Sequence, residues 1–323
     1  MPRTVLPVPT RSPRYAGLVT FGRYPRLEDV LPENRPVDWI FFGAPFDGGV
    51  TYRPGTRFGP RAIREQSQYL KHFHVVHGID VPATLSLADA GDAPVEAYDC
   101  RDNAGAVAAF ARELPDPGIS RPFMLGGDHS ITLGTLRAAY ERAGRPPGGL
   151  AMIHADSHLD TTDETLGERY SHASPFIRAI EEGVLNPELT VSIGIKGPLN
   201  TGEELDYARE HGITVITAER YREVGLEPAL PVLKRLADVP TYFTFDIDIV
   251  DPVFAPGTGT PSVGGLTSAD ALHLVRSFAP FRPRLAGADL VEVLPDRDVA
   301  GNTSLLAAHI AFEIIALDAL HRR

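Results

Sequence analysis

Short apolar runs alternating with helix-length segments constrain this chain most. Runs near 149–153, 189–194, 213–217, 241–247 and 285–292 alternate with helical patterns near 171–182, 203–211, 227–237, 268–279 and 303–321. Apolar runs of this length read as buried strands. Strands separated by helices join as parallel βαβ units, with helices on both faces of one sheet. Upstream, Trp39 to Phe42 ends at Gly43, Asp89 to Asp92 closes a short strand, and Pro122 to Leu125 stops at Gly126. The total is about eight strands, without linker, repeat or low-complexity segment. The expectation is a single α/β domain over 36–323. It follows a Pro- and Arg-rich arm over 1–35 that packs on the domain or on a neighbour.

The chemistry sits where strands end. Leu150 to Ile153 runs into His154-Ala155-Asp156-Ser157-His158-Leu159-Asp160, and Tyr242 to Phe245 runs into Asp246-Ile247-Asp248. In extended chain, residues two apart point the same way, so Asp156, His158 and Asp160 can converge, as can Asp246 and Asp248. Carboxylates crowded at buried strand ends repel one another and lose hydration, and a bound cation removes both penalties. A lone Asp-x-Asp is common in solvated turns; a second one after another apolar run favours a metal site.

Other segments add candidates. In Gly126-Gly127-Asp128-His129-Ser130, Ser130 can start the helix to Arg142, placing His129 at a strand-to-helix junction, where open sheets bind ligands. The loop Ala44 to Pro60 carries Arg53 and Arg57, and the helix after it carries Arg61 and Arg64, read as structural. The loop Thr161 to Ser171 holds Asp163, Glu164, Glu168 and Arg169, followed by His172, either a first-turn residue or a proton donor over the metals. Glu292 ends the last strand, where a buried carboxylate calls for a cationic partner, whereas Asp289 can be a structural acid. The Gly/Pro-rich loop Asp251 to Gly265 follows Asp248 closely enough to wall the site; its Gly-x-Gly opens no helix and is no dinucleotide fingerprint.

Net charge is −11 from 42 acidic and 31 basic residues, which argues against non-specific nucleic-acid binding. The one cysteine, Cys100, excludes an intramolecular disulfide. The N-terminus lacks the apolar core of a signal peptide, and the most apolar helix, Ser304 to Leu320, is interrupted by His309, Glu313 and Asp318. A cytoplasmic location is the default expectation.

Together, Gly126-Gly127-Asp128-His129-Ser130, Asp156-x-His158-x-Asp160 and Phe245-Asp246-Ile247-Asp248, with Asp251-Pro252 and Pro256-Gly257-Thr258-Gly259-Thr260-Pro261, resemble the ureohydrolase family of arginases and agmatinases. Pro45-Phe46-Asp47-Gly48-Gly49, Arg57-Phe58-Gly59-Pro60 with Ile63-Arg64, and Tyr170-Ser171-His172 with Pro175-Phe176 resemble its agmatinase-type branch. The resemblance implies an arginase-like three-layer αβα sandwich with a binuclear Mn²⁺ centre at the carboxyl edge of the sheet; ligand type alone leaves Ni²⁺, Co²⁺ or Zn²⁺ open. It assigns His129, Asp156, His158, Asp160, Asp246 and Asp248 as ligands. Two metals about 3.5–4 Å apart share a water and make it a hydroxide that attacks the guanidinium carbon. On the same resemblance, Glu292 would pair with the guanidinium, Asp160 would take up the proton, His172 would serve as the acid/base group, and urea and an amine would leave. Relatives of this kind are commonly trimers or hexamers.

The chain departs from the family pattern at Ala155, Ser157, Ala173-Ser174, Lys196 and Leu294, none of them a ligand. Substrate identity is the open point. Agmatine leads, its distal amine suiting an acidic mouth at Asp163, Glu164 or Glu168. A guanidino acid of the 4-guanidinobutanoate type would instead use Arg53, Arg57, Arg169 or Lys196. A non-catalytic scaffold subunit of a hetero-oligomer is a third reading, disfavoured by the complete ligand set.

Overall fold

The computed structural model describes residues 3–8, 11–96 and 98–322. Eight parallel strands form one sheet: β1 (Trp39–Ala44), β2 (Leu87–Asp92), β3 (Arg121–Gly126), β4 (Leu150–Ala155), β5 (Leu185–Ile195), β6 (Thr214–Thr217), β7 (Pro240–Asp246) and β8 (Arg284–Val291). Their spatial order is β2-β1-β3-β8-β7-β4-β5-β6. Every residue of β1, β4 and β7 is buried, the pattern of strands covered on both faces.

On one face, α2 (Cys100–Glu113) packs on α3 (Thr132–Arg142), and α3 on α4 (Pro175–Glu181). On the other, α1 (Gly59–Ser67) and α7 (Ser268–Arg276) pack on α8 (Asn302–His321). Two shorter helices, α5 (Glu203–Glu210) and α6 (Ala218–Val224), follow β5 and β6. The result is the three-layer αβα sandwich that the alternation implied. The described part of the N-terminal arm lies on the domain: Phe21 and Tyr24 are fully buried, and Phe21 stacks on Phe41 at 4.2 Å. Positions 1, 2, 9 and 10 of that arm lie outside the described residues.

Several expectations need correction. Helix α3 does not start at Ser130. The Asp128 carboxylate caps a 3-10 turn over His129–Ile131 by accepting from Ser130 N at 3.0 Å, and the α-helix begins at Thr132. The helix expected over 171–182 begins only at Pro175, because Ser171 to Ser174 form a turn. The helix expected over 227–237 shrinks to a 3-10 turn and one α-turn, Leu230–Leu233, while α6 went unforeseen. Finally, the stretch Val299–His321 is long and apolar enough to cross a membrane despite its charges, yet 83% of its most apolar 18-residue window is buried inside the fold. Those charges are paired within the protein. Glu313 accepts from Arg276, and Asp318 accepts from Trp39 Nε1 at 3.1 Å and Arg121 at 2.7 Å.

Candidate metal centre

Four neighbouring central strands, β3, β8, β7 and β4, end at one place, and each delivers a functional side chain there. After β3 the chain turns at Gly127, where a Cβ would lie 1.8 Å from Phe46 O, so only glycine lets the two segments pass. The turn sets His129 at the start of the helical segment, fully buried.

Its Nδ1 lies 3.2 Å from Asp156 Oδ2, 2.8 Å from Asp160 Oδ2 and 3.4 Å from Asp246 Oδ2. It is nonetheless aligned for a hydrogen bond with none of them. A second group repeats the arrangement: His158 Nδ1 lies 3.5 Å from Asp156 Oδ1 and 3.1 Å from Asp248 Oδ2. Asp156 therefore offers one oxygen to each histidine. Donor atoms bound at right angles to a common ion at about 2.1 Å stand about 3 Å apart, which fits both groups. Electrostatics points the same way. Burial, reinforced by the charges of Asp248 and Asp156, holds Asp246 well above the usual carboxylate range. Burial and Asp156 also raise Asp160. Such a set of buried acids is relieved by cations.

The outer contacts orient these groups. His129 Nε2 lies 2.8 Å from Thr244 Oγ1. Behind it the buried Asp289 accepts from Tyr242 Oη at 2.8 Å. His154 Nε2 lies 2.8 Å from Asp156 Oδ2, and its Nδ1 lies 3.1 Å from Ser192 Oγ. Partners of this kind fix the ring orientation of metal-binding histidines and the basicity of ligands. Sequence reading gave no role to His154 or Thr244. The signal was present, because His154 precedes Asp156 by two residues and Thr244 precedes Asp246 by two, each on the ligand-bearing face of its strand.

Glu292 and His172 meet beside His129. Glu292 Oε1 accepts from His129 N at 2.9 Å and lies 2.9 Å from His172 Nδ1. Its Oε2 is buried and has no partner. Glu292 and Asp160 both adopt left-handed backbone angles, φ 63° and 52°, as do six described non-glycine residues elsewhere in the chain. His172 Nε2 accepts from Thr51 N at 3.1 Å and lies 2.8 Å from Thr51 Oγ1. Burial pulls the ring's pKa down, but the charge and hydrogen bond of Glu292, with Asp160 and Asp128, raise it to about 9. Thr51 serves both forms: its N–H suits the neutral ring and its hydroxyl oxygen can accept from the charged one. Asp128 anchors Thr51's loop by accepting from Gly49 N at 2.7 Å.

A cavity of about 780 Å³ opens above these residues, lined by Thr51, His158, Asp160, His172, Asp246 and Thr260 and, toward its mouth, by Asp163, Glu164, Glu203 and Glu204. Thr260 belongs to the loop 251–265, which does wall the site. A slightly larger hollow, about 860 Å³, lies between Thr20, Arg64 and Phe110, and none of the metal-centre residues borders it. None of the arginines foreseen as alternatives lines the cavity. Arg57 is paired with Asp47, Arg169 with Asp163, and Arg53 lies over the Tyr52 ring. Asp163, although at the mouth, is also paired with Arg178. Arg64 is structural, as expected, held between Asp89 and Asp92.

A family model described as Arginase family matches residues 37–316. The chain belongs to the arginase family. As a member it is a hydrolase of guanidino carbon–nitrogen bonds. It is 43% identical to guanidinopropionase of Pseudomonas aeruginosa over 94% of this chain and 93% of that protein. It is 39% identical to mitochondrial agmatinase of Gallus gallus over 94% and 86%. The solved structure of proclavaminate amidinohydrolase from Streptomyces clavuligerus superposes with a TM-score of 0.86 at 38% identity, covering 96% of this chain and 99% of that one.

Proposed function

We propose that this enzyme hydrolyses a linear guanidino compound to urea and an amine at a binuclear Mn²⁺ centre. One subsite would be formed by His129, Asp156, Asp160 and Asp246, the other by His158, Asp156 and Asp248. When bound, the cations supply Lewis acidity and an activated water. The chain's own groups do the rest. Glu292 Oε2, buried and unpaired beside the cluster, receives a guanidinium N–H and holds the carbon rigidly. This unpaired oxygen is the observation that carries the reading. Asp160 takes up the proton lost by the nucleophile. His172, held by Glu292 and Thr51 and facing the cavity, delivers a proton to the leaving amine.

The tail is read from the cavity mouth. Asp163, Glu164, Glu203 and Glu204 line it, and no lysine or arginine does among the described residues. A cationic tail fits, and agmatine is the leading substrate. The second reading is a guanidino acid, favoured by the similarity to guanidinopropionase and proclavaminate amidinohydrolase. Thr162, Thr165, Asn200 and Thr201 on the same wall offer neutral donors to a carboxylate. Urea release from agmatine, 3-guanidinopropanoate and 4-guanidinobutanoate, with protein loaded with Mn²⁺ or Ni²⁺, separates the two. No urea from any of them with either metal refutes the proposal. A closed homo-oligomer, trimer or hexamer, is part of the same reading, supported by exposed Tyr15, Leu18, Tyr52 and Phe58 on the arm and the 44–60 loop; light scattering tests it.

A further inference from the structure

Ser157 and Lys196 belong to no ligand set, yet they meet beneath the second subsite. Lys196 directly follows β5, and its half-buried ammonium donates to Ser157 Oγ at 2.5 Å, Asp248 O at 2.9 Å and Ser262 O at 2.7 Å. An ammonium has three protons, so three acceptors saturate it. All three are neutral oxygens, so the contact is not an ion pair. They come from three segments: the loop carrying Asp156 and His158, the turn carrying Asp246 and Asp248, and the loop that walls the cavity. Ser157 adds two bonds, donating from Oγ to Asp248 O at 2.7 Å and from its main-chain N to Asp248 Oδ1 at 3.1 Å. Gly197 makes the approach possible: it has φ +75°, and a Cβ there would lie 2.4 Å from Ser262 Oγ.

A lysine placed near a cation site opposes the cation electrostatically and gains no carboxylate partner of its own. What it gains is geometry. We propose that Lys196 and Ser157 are positioning residues that lock Asp248 against His158, set the metal affinity of that subsite alone, and tie it to the cavity wall. Among the described residues, neither side chain hydrogen-bonds His129, Asp160 or Asp246, and Asp156 is the one ligand the two subsites share.

The inference rests on the metal-centre reading, and the test keeps the two apart. Mn²⁺ binding to the metal-stripped full chain is titrated calorimetrically for wild type, Lys196→Met, Ser157→Ala and Lys196→Arg, with the melting temperature of each metal-free protein recorded alongside. Wild type is expected to bind two ions. In Lys196→Met one of the two steps loses about 10–100-fold in affinity while the other stays put. Ser157→Ala shows a smaller loss in the same step, and Lys196→Arg, which keeps donors, recovers part of it. Two ions bound by Lys196→Met with wild-type affinities would overturn the inference and leave the metal centre standing. An equal weakening of both steps would also overturn it, as general damage. If Lys196→Met does not fold, Ser157→Ala decides on the same criterion. Wild type binding no ion would overturn the metal-centre reading itself.

Discussion

Glu292→Gln is the sharpest test of how the guanidinium is held. The substitution keeps the side-chain shape and the Cβ, so the left-handed backbone at φ 63° is equally strained before and after. Oε1 is already occupied by His129 N and His172, leaving Oε2 alone for the substrate. A full carboxylate–guanidinium fork is therefore unavailable, and the loss is that of one charge-assisted hydrogen bond, about 1.5–3 kcal/mol. At about 1.4 kcal/mol per tenfold, kcat/KM for urea release is expected to fall roughly 10- to 150-fold. Bound metal should not change, since Glu292 is not among the ligands. The assay is steady-state urea release with metal content measured on the same sample. A variant within threefold of wild type, or one that has lost its metal, would refute the assignment.

Other outcomes follow from the same geometry. Asp156 presents one oxygen to each histidine, so Asp156→Ala should lose metal from both subsites, whereas Asp248→Ala should lose it from one; elemental analysis after dialysis distinguishes them. In the metal-free protein, His172 is raised from 6.5 to about 9, so its charged form stabilises the fold fully below about pH 6.5, and that contribution disappears as pH rises through about 9. The melting-temperature gap between wild type and His172→Gln should therefore narrow across that window, and a constant gap contradicts the assignment. Burial pushes Glu313 up, but its bonds to His74 and Arg276 outweigh this and hold it below the usual range. Glu313→Gln should cost about 1.5–3 kcal/mol in urea melts at neutral pH, a difference that shrinks as pH falls below the ordinary glutamate value toward Glu313's depressed one.

Sheet, layers and the convergence of the acidic and histidine side chains were legible because each depends on local chemistry that sequence displays directly. Apolar runs mark β4 and β7, and the two-residue spacing puts Asp156, His158 and Asp160 at one strand end. Helix starts were less legible, because Asp128 rather than Ser130 supplies the cap, a choice made by backbone direction after Gly127. Lys196 was noticed as an unusual residue, but its contact with Ser262, 66 positions away, is a product of loop closure. The ion pairs of the loop arginines, Arg57 with Asp47 and Arg169 with Asp163, were not legible from spacing for a similar reason: they are set by how the loops fold back.

The placement of the groups proposed to bind metal and guanidinium on four adjacent central strands divides the enzyme into two parts with separate tolerances. The reacting half is fixed to the buried centre of the sheet, where every residue of β4 and β7 is covered on both faces. The residues that would read the tail hang from the 161–171 loop and the first turn of α5, at the rim, where a substitution meets solvent on one side. A chain built this way can be retuned from an amine to an acid at a handful of rim positions without rebuilding its reaction centre. Grafting those positions between relatives is therefore a practical route to new guanidino substrates.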